Sequence, residues 1–179
     1  MRIIVFSDSH RNVLPMKKVL DSIGRDMDCL IHLGDVADDA NVLARAYPEL
    51  QQYVVRGNCD YSGLFPEEKL ITIRNKKIYI THGHSYGVKH DFGRIFYAAK
   101  ENKADICLFG HTHVPVTFRH EGIYFMNPGS ISLPRPDSFP SYGIININDM
   151  GRLETVVVGC IDNHYRPIDV EINFRKEEV

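Results

Sequence analysis

Paired cysteines, long apolar runs, an excess of one charge and internal repetition are all missing from this sequence. The four cysteines, Cys29, Cys59, Cys107 and Cys160, are widely scattered and form no C-x-x-C pair, which excludes a disulfide framework and a thiolate zinc site. Cys29 and Cys107 sit inside apolar runs and read as buried thiols. The apolar run that opens the chain breaks at Asp8, far short of the ~20 apolar residues of a membrane span and too short for a secretory signal. A cytoplasmic protein with no membrane association is the expectation. The formal net charge is only −2, so no concentrated basic face is available for a nucleic-acid backbone. A small anionic substrate drawn in by local cations remains compatible with that balance. Repeats, low-complexity tracts and linkers are absent as well, and the 179 residues are expected to form one domain, 1–179, able to bury a core without a structural metal. Composition leaves a homo-oligomer open.

What is present is globular in character: 44% hydrophobic and 25% charged residues exclude a disordered or collagen-like chain. Ile3 to Phe6 is a β-branched and aromatic run that reads as a buried strand. A helix is expected from Pro15 to Ile23 with Gly24 as its stop. Cys29 to Leu33 reads as a second strand, Asn41 to Tyr47 as a helix and Tyr53 to Val55 as a third strand, a βαβαβ series that implies a parallel sheet. Leu70 to Ile73 and Ile78 to Ile80 flank Asn75-Lys76-Lys77 as a hairpin, a helix follows between Asp91 and Glu101, and Ile106 to Phe109 is another buried strand. Four further strands, within Val116–Phe118, Ile123–Phe125, Tyr142–Ile147 and Leu153–Val158, are separated by turn signals. Antiparallel pairing is expected to dominate this end, giving two sheets packed together with helices outside.

Five apolar runs end in residues that can hold a metal: Asp8-x-His10, Gly34-Asp35, Gly57-Asn58, His82-Gly83 and Gly110-His111-x-His113. Open α/β sheets bind ligands beyond the carboxyl ends of their strands, so five such ends can meet in one crevice. Taken singly, each is a common turn or cap. Taken together they are not, because turn chemistry has no reason to select carboxylate, amide and imidazole and to place glycine beside four of the five. The mixture suits two divalent ions ~3.5–4 Å apart, which need a carboxylate between them. Asp35 is the candidate bridge. Imidazoles and the Asn58 amide would complete the shells while leaving a net positive site that attracts phosphate. Without thiolate, an oxygen and nitrogen site points to manganese first, with nickel, iron, cobalt or zinc as alternatives.

These motifs, with Gly57-Asn58-Cys59-Asp60, His82-Gly83-His84 and Asn127-Pro128-Gly129-Ser130 among them, resemble those of the calcineurin-like metallophosphoesterases, in the version found in small bacterial and archaeal phosphodiesterases. The resemblance implies a four-layer αββα sandwich of two mixed sheets flanked by helices. It implies one ion on Asp8, His10, Asp35 and His113 and another on Asp35, Asn58, His82 and His111. It also implies hydrolysis of a small phosphodiester by a hydroxide activated between the two ions.

One departure bears on mechanism. Where related protein phosphatases place a proton-donating histidine after Gly-Asn, this chain has Cys59, a poor acid at neutral pH. Asp60 and His84 are the nearest alternatives as catalytic residues, and Asn58 is grouped with them. Arg11, Asn12 and Cys59 are the candidate substrate-binding residues, although Asn12 also reads as an N-cap. Arg135, set between two prolines, could lie over the cleft or be solvated. His32 reads as a hydrogen-bonded core histidine. The rival function is a non-catalytic metal-binding scaffold resembling the retromer subunit of the same fold, whose mark is lost histidine ligands. Here every expected ligand position is filled.

Overall fold

The computed structural model describes residues 1–23, 26–61 and 63–168. Gly24, the expected helix stop, lies outside them, as does the end of the chain beyond residue 168. In order the elements are β1 (Arg2–Phe6), α1 (Leu14–Ile23), β2 (Cys29–His32), α2 (Asp39–Ala46), β3 (Gln51–Val54), β4 (Glu68–Ile73), β5 (Lys76–Thr81), a short 3-10 turn (His84–Tyr86), α3 (Gly93–Glu101), β6 (Ile106–Leu108), β7 (Pro115–His120), β8 (Ile123–Pro128), β9 (Ser141–Ile147), β10 (Leu153–Ile161) and β11 (Pro167–Ile168). Among the described residues no helix is long and apolar enough to cross a membrane.

The strands form two mixed sheets, ordered β11-β10-β9-β1-β2-β3 and β4-β5-β6-β8-β7. Period-2 alternation sorts their side chains into layers. Ile3 and Val5 of β1 and Cys29 and Ile31 of β2 pack between the sheets against Ile78 and Ile80 of β5 and Ile106 and Leu108 of β6. Ile4, Phe6 and Leu30 face outward onto Met16, Val19 and Leu20 of α1 and Leu43 of α2. On the far side, Tyr79 and Cys107 meet Ile95, Phe96 and Ala99 of α3. The result is helix, sheet, sheet, helix. Cys29 and Cys107 are fully buried, as expected of thiols inside apolar runs.

Two features of the second half differ from the expectation. β5, β6 and β8 run parallel, with antiparallel pairing confined to the β4 and β7 edges, because α3 and the β7 excursion return the chain for parallel crossovers. β9 leaves that sheet and pairs antiparallel with β1 of the other. The β4–β5 turn is also tighter than the polar residues suggest, since Lys76 and Lys77 are already in β5.

Parallel pairing matters for the site. β1, β2 and β3 run together in one sheet, and β5 and β6 run together in the other. Their carboxyl ends carry the five motifs. Backbone and ring bonds lace the ends: Asp8 N donates to Gly34 O at 3.0 Å, Gly110 N to His82 O at 3.0 Å, and His82 Nδ1 reaches across the sheets to Leu33 O at 2.7 Å.

Candidate metal centre

Two donor groups form at this edge. One comprises Asp8, His10, Asp35 and His113, the other Asp35, His82 and His111, and within each the ligand atoms lie within 4.8 Å of one another. Asp35 belongs to both. His113 Nε2 is 3.1 Å from Asp8 Oδ1 and 3.3 Å from His10 Nε2, and His82 Nε2 is 3.4 Å from Asp35 Oδ1 and 3.9 Å from Asp8 Oδ1.

The imidazole tautomers follow from their carbonyl partners. His82 Nδ1 meets Leu33 O at 2.7 Å and His113 Nδ1 meets Leu133 O at 2.6 Å. A carbonyl only accepts, so each Nδ1 carries the proton and each neutral Nε2 presents a lone pair to the centre. The 3.1 Å contact of His113 with Asp8 is then acceptor against acceptor. Asp8 Oδ1 and His82 Nε2 are both buried without a hydrogen-bond partner. Such atoms are costly unless a cation, or a proton, lies between them. The residues therefore fit divalent metal ions.

Electrostatics agree. Burial opposes the ionisation of Asp35, yet His82 beside it and the Cys59 N–H hold its carboxyl well below the usual carboxylate range. Burial likewise opposes Asp8, and His113 and His82 keep it low. His82 is lowered by burial but raised overall by Asp35 and Asp8, and His113 is raised mainly by Asp8. His111 is held down to about 4, first by burial and then by the neighbouring His82 imidazole, which leaves its ring neutral and able to ligate.

Backbone strain concentrates on the same residues. Asp8 (φ 54°), His10 (φ 48°), Asp35 (φ 55°), His111 (φ 69°) and His113 (φ 60°) all occupy the left-handed region, and β-branched Val36 joins them at φ 71°. Non-glycine residues rarely adopt this conformation, and where they cluster the surrounding structure holds them for function. The glycines serve in two ways. Gly34 and Gly83 make the turn at φ 94°. Gly57 and Gly110 instead make room, for a Cβ at Gly57 would lie 2.2 Å from Asp35 Oδ1 and one at Gly110 2.0 Å from Ser7 Oγ.

The other expected residues are distributed unevenly. Asn58 is exposed, and its amide nitrogen donates to Cys59 Sγ at 3.5 Å, while the Cys59 N–H caps the Asp35 carboxylate at 2.9 Å. Burial and then the Asp35 carboxylate push the Cys59 thiol up to about 11. His84 lies alongside, its ring centroid 5.4 Å from that of His82 and 6.2 Å from that of His111, and its buried Nδ1 is unpartnered. Burial, and next the charge of His82, lower its pKa. Asp60, a candidate catalytic residue, is engaged by the backbone. Its oxygens accept the N–H groups of Gly57 (2.7 Å), Ala37 (2.7 Å) and Asp35 (3.1 Å), so it is a brace between two ligand loops. Arg11 gives only its backbone N–H, to Asp39 Oδ2, and Asn12 its backbone N–H to Ser9 O. Asn12 does not cap α1, which begins two residues later at Leu14.

Several buried groups support the donors, His32 as the hydrogen-bonded core histidine expected of it. Buried Asn127 donates to Gly110 O at 2.7 Å and Thr112 Oγ1 at 2.9 Å and so fixes the His111–His113 loop. Ser130 and Ser132 donate to Asp8 O and Ser9 O, both at 2.7 Å. His32 accepts the Gly34 N–H at Nδ1, so its Nε2 proton goes to Ser9 Oγ at 3.1 Å, and Ser9 donates onward to Asp39 at 2.7 Å.

Comparison with known proteins agrees with this geometry. Residues 1–150 match the model of the calcineurin-like phosphoesterase superfamily domain. The chain is 36% identical over 150 residues to a probable metallophosphoesterase, YsnB, of Bacillus subtilis, covering 83% of this chain and 86% of that one. It is 27% identical over 172 residues to the phosphodiesterase YfcE of Escherichia coli, covering 84% and 89%. Its fold is similar to a crystal structure of a Vps29 variant from Entamoeba histolytica, with a TM-score of 0.73 at 23% identity, covering 95% and 99%. The match over most of the chain, on the strands and loops that build the centre, makes this protein a member of the calcineurin-like phosphoesterase superfamily.

Proposed function

We propose that this chain is a metal-dependent phosphodiesterase with a two-ion centre, one ion on Asp8, His10, Asp35 and His113 and the other on Asp35, Asn58, His82 and His111. The observation that carries the reading is Asp35, whose carboxylate belongs to both donor groups, the place a bridging ligand must occupy. Divalent ions bound there would supply Lewis acidity toward a phosphoryl oxygen and a water ionised near neutral pH. The chain's own side chains do the rest. The Leu33 and Leu133 carbonyls keep the His82 and His113 protons on Nδ1 and their Nε2 atoms turned inward. Asp60 braces the Gly57 loop against Asp35. His84, beside His82 and His111, is our candidate to donate a hydrogen bond or proton to the leaving oxygen.

Diester preference has two supports. The relative from Escherichia coli is named a phosphodiesterase, and Cys59 stands where a histidine would assist the poorer leaving groups. Manganese is our first choice of ion, a small phosphodiester our substrate class and the cytoplasm our location. The test is a panel of phosphodiesters and monoesters assayed on chelator-stripped protein with manganese, nickel, cobalt, iron or zinc restored. Metal-dependent turnover of diesters, with two ions bound per chain at saturation, is the expected result. If no phosphoester is hydrolysed with any of these metals, a non-catalytic metal-binding scaffold becomes the better reading.

A further inference from the structure

The segment after β8 is fastened to the ligand loops from both sides. Ser130 and Ser132 donate to the backbone carbonyls of Asp8 and Ser9, Leu133 N donates to Ser130 Oγ at 2.8 Å, and Leu133 O accepts the His113 ring proton. Two residues later, Arg135 Nε donates to Thr112 O at 3.2 Å. Thr112 lies between the ligands His111 and His113. Pro134 and Pro136 restrict the backbone on either side of Arg135, and Ser138 N closes a turn onto Arg135 O at 2.9 Å. The guanidinium is thus held at the His113 side of the centre by a carbonyl rather than a carboxylate.

A guanidinium has five N–H donors in a planar fork. Thr112 takes one, and among the described residues no hydrogen bond or carboxylate engages the terminal nitrogens of exposed Arg135. By contrast Arg56, near His84, already pairs with Glu67. An anchored fork with free terminal donors matches the paired oxygens of a phosphoryl group.

From this geometry we infer that Arg135 is a substrate-binding residue that grips a non-bridging oxygen of the phosphoryl group, with Thr112 O and the two prolines holding it in place. The inference rests on the phosphodiesterase reading above. It assigns the exposed Arg135 a role as specific as that of the buried ligands, and it extends the site from the ions to the anion they act on.

The test uses the full chain loaded with manganese and an activated aryl phosphodiester. Arg135→Gln should lower kcat/KM by roughly 10- to 100-fold, the loss of a charge-assisted bond to the phosphoryl group. Arg135→Lys should recover only part of it, because a point charge lacks the fork. Guanidinium ion added at millimolar concentration should partly restore Arg135→Ala and leave the wild type unchanged, and inorganic phosphate should inhibit Arg135→Gln more weakly than wild type. Metal content and Tm should stay at wild-type values. Wild-type kcat/KM in Arg135→Gln would overturn the inference while leaving the phosphodiesterase reading intact. Loss of bound metal in step with activity would overturn it too, since Arg135 would then act only through Thr112 and its neighbouring ligands. A wild type that hydrolyses no phosphoester would sink the phosphodiesterase reading and this inference with it.

Discussion

Gly57→Ala adds a single methyl group at a position with no space for it. Its Cβ would lie 2.2 Å from Asp35 Oδ1 and 2.6 Å from Asp35 N, so the carboxylate must retreat from 2.2 Å to at least 3.0 Å and the backbone must shift as well. Neither is free to do so. Asp35 Oδ1 receives the Cys59 N–H at 2.9 Å and lies 3.4 Å from His82 Nε2, and Asp35 N is bonded to Asp60. Moving the shared carboxylate by about 1 Å disturbs both donor groups at once, and misplacement on that scale is worth on the order of 10²-fold in rate, or roughly 3 kcal/mol of transition-state stabilisation. Overpacking adds a stability loss of about 1–3 kcal/mol. The expected variant therefore unfolds cooperatively, binds manganese less completely than wild type, and shows kcat/KM lower by about two orders of magnitude. Metal analysis after saturation, circular-dichroism melting and steady-state kinetics on an aryl diester would check this. A variant with full metal content and more than half the wild-type kcat/KM would refute the reasoning, because the Asp35 carboxylate would not then be the junction of the centre.

Two further predictions rest on His32 and Cys59. His32 is completely buried, and burial holds its pKa down at about 4 against a usual 6.5. The unfolded chain thus binds this proton more readily, so its contribution is whole above about pH 6.5 and drains as pH falls toward 4, by roughly 3 kcal/mol in all. In metal-free protein its imidazole NMR signals should titrate below about pH 5, and a midpoint near the usual value would show the Gly34–His32–Ser9 chain to be open to solvent. For Cys59, a thiol is a weaker acid than an imidazolium, and a positioned acid contributes ~10²–10⁴-fold. Activated aryl diesters should accordingly be cleaved faster than alkyl ones, and Cys59→His should help poor leaving groups more than good ones. If kcat/KM is independent of leaving-group pKa while chemistry is rate-limiting, another residue already supplies the proton, and His84 is the one to replace.

The side chains that could hold a metal were legible because they sit at or just beyond the ends of apolar runs, and strands of three to six residues deliver what ends them to the sheet edge. Asp60, by contrast, was ambiguous. A carboxylate next to Gly57-Asn58-Cys59 looks the same in sequence whether it faces substrate or its own loop, and only the three N–H groups around it decide between these. Arg135 was undecidable for the same reason, since its position depends on Thr112 folding back from another strand end.

Local chemistry along the chain thus determined the strands, the helices and which side chains could bind metal, because hydrophobic periodicity and turn residues act over a few positions. The tertiary structure alone decided that β9 returns to pair with β1, that β5, β6 and β8 run parallel, and that the ends of two separate sheets face one another. It also set the left-handed backbone at five candidate ligands and the ring tautomers of His82 and His113. These depend on partners dozens of residues away, and no residue carries in its own identity the address of the carbonyl or carboxylate it will meet.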